Sequence, residues 1–152
     1  QASGTPGSES LRAFRAQTLY HTGALKQRRD AQEAASALRQ AQLEFRALAT
    51  ESPAEPSYLG YLGAIHARLG DVASAREMSD SLQALDRPYL RGQNTYWRSR
   101  IAAIMGDPEE AVRLLWASAG EGVPFGVSMH ADPDLESLRG FPEFEELMRP
   151  KG

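Results

Sequence analysis

Two stretches of this 152-residue chain, 36 positions apart, carry the same pattern of small, apolar and turn-forming residues. Self-similarity at a fixed period constrains a fold more than composition does, because each copy must form the same local structure and pack on its neighbour. Gly63, Gly70 and Ala75 recur as Ser99, Gly106 and Ala111, and each of the two later glycines is followed by an aspartate, Asp71 or Asp107. Glycine just past a helix end takes the left-handed conformation, and the next Asp can cap the following helix. Each stretch therefore predicts two helices joined by a sharp turn. The small residues Gly63 with Ala75, and Ser99 with Ala111, let the paired backbones approach closely.

The rest of the chain has the same helical character. From Glu9 to Leu115, Ala, Leu, Arg, Gln and Glu predominate, and no stretch alternates in the manner of a strand. Breakers fall at Gly23, Pro53–Pro56, Gly70, Pro88–Gly92, Gly106–Pro108 and Gly120–Pro124. They delimit helices over about 10–25, 28–50, 57–69, 72–85, 93–105 and 108–119. In the second, Ala34, Leu38, Ala41, Phe45 and Leu48 share one face. The last opens on Asp107 as cap and Pro108 at the first helical position, with Glu110 placed to bond back to the capping amide.

These residues resemble the tetratricopeptide repeat, a helix-turn-helix unit of about 34 residues. In one unit Leu59, Leu62, Gly63, Gly70, Ala75 and Leu82 match its signature, with His66 where the family prefers Tyr. In the next, Ser99, Ala102, Gly106, Ala111, Leu115 and Ser118 match, and Pro88 and Pro124 close the two units. Upstream, Ala41, Phe45, Leu48 and Pro53 have the spacing of the second half of such a unit, without a matching first half. The resemblance implies an all-α, helical-hairpin solenoid of about three hairpins over residues 9–125, made of a degenerate hairpin 9–52 and repeats 56–89 and 92–125. Residues 1–8 read as a flexible leader.

The segment 126–152 differs. Leu135, Leu138, Phe141, Phe144 and Leu147 place an apolar residue at every third position, in two short pieces each opened by an X-Pro step. It resembles the closing segment after such repeats in many bacterial multidomain regulators, among them kinases, adenylate cyclases and winged-helix activators. A helical cap over the last hairpin is the expectation.

Functional chemistry is sparse. Cysteine is absent, which excludes disulfides, thiolate metal sites and a cysteine nucleophile. His21, His66 and His130 lie in different segments without metal-ligand spacing. His130, Asp132 and Asp134 offer three ligands within five residues, but capping by Asp132 is the better reading, and His66 is expected at a helix crossing. Glu143, Glu145 and Glu146 read as a solvated helix face. No phosphate loop, dinucleotide fingerprint or catalytic constellation appears, so the expectation is a non-enzyme with no metal and no cofactor. The net charge of −3 argues against nucleic acid, and the longest apolar run, 101–105, is too short to span a bilayer.

In the resembled family the first helix of each hairpin lines a groove that binds a protein or peptide. By helical pitch that side includes Tyr61 and Arg68 in one repeat and Gln93, Tyr96, Trp97 and Arg100 in the next. These are types enriched at binding hot spots. Tyr96 and Trp97 have the alternative of packing on the preceding hairpin, and since neighbours on a helix point about 100° apart, at most one faces outward. Charge is uneven: +3 over residues 1–50, −2 over 51–119 and −4 over 120–152. The leading expectation is thus an interaction module using its groove. One alternative is an exported subunit associating head to tail, through a contact that does not close on itself. Another is the regulatory end of a larger kinase, cyclase or transcriptional activator. The start at Gln1 fits a processed or fragmentary chain, with export slightly favoured over a cytoplasmic location.

Overall fold

The computed structural model describes residues 6–150. The chain is all-α. Its elements are α1 (Pro6–Lys26), α2 (Ala31–Glu51), α3 (Pro56–Arg68), α4 (Val72–Gln83), α5 (Gln93–Ile104), α6 (Pro108–Gly120), α7 (Val127–His130), a 3₁₀ helix (Pro133–Leu138) and α8 (Pro142–Met148). Helices pair in succession, α1 with α2, α3 with α4 and α5 with α6. Helix α3 also packs on α2 and α5, and α1 touches α3, so α3 joins α1 and α5 along one side, the inner face. The 3₁₀ helix lies on α5, and α8 on α6.

The two similar stretches make the same turn. Gly70 and Gly106 have φ of 82° and 81°. The amides after them, of Asp71 and Asp107, donate to His66 O and Ala102 O, which satisfies the last carbonyls of the preceding helix. Both aspartates then cap the next helix, accepting from the amides of Ser74 and Glu110. Helix α2 is a single long helix started by Asp30, and its buried residues include Ala34, Leu38, Ala41, Phe45 and Leu48, the apolar face read from the sequence.

Three local expectations are corrected. Helix α1 begins at Pro6, so residues 6–8 are helical rather than leader; residues 1–5 lie outside the described residues. Gly23 does not break α1: a side chain there would meet Leu38 of α2, its Cβ 2.7 Å from Cγ, so the glycine serves helix packing. Glu110 does not bond back to the amide of Asp107, which is already bound to Ala102 O; its carboxylate pairs instead with Arg113 one turn on.

Among the described residues two apolar cores result. One joins Tyr20, Leu38, Phe45, Leu48, Ile65 and Leu82 to Trp97 and Ile101. The other joins Ala102, Ala103 and Leu115 to the tail residues Met129, Leu135, Leu138, Phe144 and Leu147. Helix α5 contributes to both, which fits its burial on several sides. Among the described residues no helix is long and apolar enough to cross a membrane.

Candidate functional site

The inner face holds the 3₁₀ helix of the chain's own tail, while α8 lies on α6. Proline at the first position of the 3₁₀ helix fixes the entry of the segment, and Asp132 caps it by accepting from the Asp134 amide at 2.9 Å. That places the Asp134 side chain over the junction of α1, α3 and α5, where only 2% of the residue remains exposed.

Four donors converge on this carboxylate. The Tyr20 hydroxyl of α1 and Arg68 Nη2 of α3 both donate to Oδ1 at 2.5 Å. Arg100 of α5 donates to Oδ2 from Nε at 2.9 Å and Nη2 at 2.6 Å. Arg68 Nε also donates to the Tyr20 oxygen at 3.0 Å, so the tyrosine relays between cation and anion. Tyr96 donates to Asp132 Oδ2 at 2.8 Å, and Arg100 Nε lies 3.3 Å from the same oxygen. Two guanidinium groups thus face two carboxylates, and the buried set is electrically neutral, as desolvation demands.

An aromatic floor orients Arg100. Its guanidinium lies 3.7 Å from the Trp97 ring centroid and 5.8 Å from that of Tyr61. Tyr61 in turn stacks on Phe45 and meets Tyr20 and Trp97 edge-on. The floor exists because residue 60 is glycine: a Cβ there would sit 2.0 Å from Cδ2 of Trp97.

Protonation follows from these contacts. Burial alone would raise the pKa of Asp134, but attraction from Arg100 and Arg68 and the Tyr20 hydrogen bond outweigh it and hold the carboxyl below its ordinary range. Burial and the nearby carboxylates push Tyr20 and Tyr96 upward, so both keep their protons and remain donors.

The tail's apolar anchors pack on α5 and α6. Met129, Leu135, Leu138, Phe144 and Leu147 are each at most 6% exposed. Burial of such side chains contributes about 1.5–3 kcal/mol apiece, so the tail is held mainly by apolar packing and positioned by the carboxylate. Phe141 is half-buried. Beside the clamp opens a cleft of about 610 Å³, whose lining includes Gln27, Arg28, Arg29 and Glu136.

Of the residues expected in the groove, Arg68, Tyr96 and Arg100 bond the tail directly. Trp97 and Tyr61 lie behind them, with Trp97 packed on the preceding hairpin at Gly60. Gln93 is exposed at the start of α5, outside the cluster. The face expected to be open is therefore occupied, because the acidic tail supplies its counter-charges. Of the residues expected to define the repeat, Gly63 faces Ile101 of α5 and Met78 of α4, and Ala75, Ser99 and Ala111 are fully buried.

Tyr20 and Asp134 carry no sequence motif that marks this role. The signal for Tyr20 was its spacing from Ala13 and Ala16, which puts all three on one buried face. For Asp134 the only signal was an acidic pair in the tail and two arginines on the inner side. His66, on α3, has its ring 3.2 Å from Asp71 and near Gln42 of α2. Glu143, Glu145 and Glu146 are exposed. Among the described residues no group of three or more His, Cys, Asp or Glu is placed to hold a metal ion. Compared with protein-family models, with curated proteins and with solved structures, the chain matches nothing.

Proposed function

We propose that this chain is a non-catalytic protein-interaction module built on tetratricopeptide-like hairpins, whose inner face binds a segment presenting an aspartate side chain. The observation that carries the reading is the convergence of Tyr20, Arg68 and Arg100, from three successive inner helices, on the single carboxylate of Asp134. Charge-assisted bonds from a planar guanidinium specify both the charge and the direction of the bound group. The tail occupies this face as a bound segment would. The matching turns at Gly70 and Gly106 and the succession of helix pairs support the repeat assignment.

Fluorescence polarisation tests the reading. The full chain carrying Asp134→Ala, Leu135→Ala and Leu138→Ala has a weakened tail and an intact clamp. A labelled peptide of residues 126–150 should bind it saturably. An Asp134→Asn peptide should bind at least about tenfold more weakly, the equivalent of about 1.4 kcal/mol. Equal affinity for the two peptides, or no binding, overturns the proposal.

The head-to-tail alternative changes form. Within the same chain the acidic tail meets α1 and α3 through Asp134, and the turn between α1 and α2 through Glu136, which lies 3.6 Å from Arg28. That complementarity reaches another copy only if the tail leaves its own body.

A further inference from the structure

We infer that the tail exchanges between copies of this chain, so that residues 127–148 of one copy seat on α5 and α6 of a second, with Asp134 in the second copy's Arg68–Arg100 clamp on the inner face. This rests on the reading of the inner face as a segment-binding surface.

The bonds that hold Asp134 join it to residues 34, 66 and 114 positions away. Such bonds are indifferent to which copy supplies the aspartate. The covalent link is short and simple. Val123 is buried and its amide is tied to Ser118 O, closing the end of α6. Only Pro124, Phe125 and Gly126 then separate that closed end from α7. Phe125 is exposed, and Gly126 has open space where a side chain would stand.

Chemistry selects the occupant. A foreign segment would need both the carboxylate and the buried apolar anchors Met129, Leu135, Leu138, Phe144 and Leu147 in register. A second copy's tail carries all of them by identity, and reciprocal exchange exposes no apolar surface and leaves no charge unpaired. The opposite charge of residues 1–50 and 120–152, +3 against −4, favours the same encounter. Reciprocal exchange gives a closed pair, and one-way exchange gives an open chain of copies.

Two full-length chains test this. One carries Arg68→Ala and Arg100→Ala and keeps its tail. The other carries Asp134→Ala, Leu135→Ala and Leu138→Ala and keeps its clamp. Native mass spectrometry of the mixture should show a one-to-one heteromer that neither chain forms alone, and its absence overturns exchange. If the same clamp-bearing chain still binds the peptide in polarisation, the segment-binding reading stands while exchange falls; if the peptide does not bind, that reading falls first. Should the arginine variant fail to fold, deletion of Pro124, Phe125 and Gly126 replaces it. The deletion shortens the link by about 10 Å, so light scattering should find dimers or larger species with helicity retained. A monomeric deletion variant overturns exchange.

Discussion

A carboxylate removed from water costs several kcal/mol unless charge and hydrogen bonds are replaced, and at Asp134 they are replaced by Tyr20, Arg68 and Arg100. Asp134→Ala leaves both buried cations short of a partner and should cost about 3–5 kcal/mol in urea unfolding. The pH dependence follows from the lowered pKa. A depressed folded pKa means the stabilisation is fully present above the unfolded value of about 3.9 and is lost as pH falls through the folded one. The difference in unfolding free energy between the native chain and Asp134→Ala should therefore stay level from pH 7 to about 5 and shrink below about 4. Gly70 is a different kind of residue. Nothing lies within 4 Å of its missing Cβ, yet its φ is 82°, so Gly70→Val acts through conformation alone. A loss of about 1–2 kcal/mol is expected; an unchanged midpoint would contradict the turn. The turn was legible in the sequence because its chemistry is local. The role of Asp134 was not, because its partners are distant in the chain.

Helix α5 shows what periodicity conveys and what it omits. Its position and start were readable from flanking breakers, and it runs Gln93–Ile104 against an expected 93–105. Its burial on several sides was not readable, since polar Thr95, Ser99 and Arg100 are buried along with Trp97 and Ile101. Arg100 is inside because the tail brings acids to it. The contact with α3 is tight at one point, where Trp97 covers Gly60. Gly60→Ala should force the indole aside, cost about 1–3 kcal/mol, and change the tryptophan emission; a native-like spectrum and stability would rule out this packing. In the tail, apolar residues every third position signalled short helices. The first is a 3₁₀ helix, in which residues three apart eclipse and Leu135 and Leu138 point the same way.

At the scale of the whole molecule, two apolar cores are coupled by α5 and by the bonds from the tail to α1 and α3. The described chain should then unfold as one unit. Trp97 belongs to the first core, while Trp116 is exposed near the tail and meets Phe125. In a Trp116→Phe chain, Trp97 emission and far-UV circular dichroism should give coincident urea transitions. Adding Asp134→Ala should separate them, with part of the helical signal lost before Trp97 is exposed. Coincident curves in that variant would mean the clamp does not couple the cores.

By itself the sequence determined the six long helices to within a few residues, the matching turns at Gly70 and Gly106 with their aspartate caps, and the apolar face of α2, because these depend on contacts within a few residues or on helical pitch. It also determined that Arg68, Tyr96 and Arg100 share a side with aromatic neighbours. Only the tertiary structure decided what lies on that side. Seating the tail there balances the loss of chain freedom against apolar burial, and it brings Asp134 to Tyr20 across 114 residues. That balance is a property of the packed whole, since loop closure sets its cost and no local pattern in the chain records it.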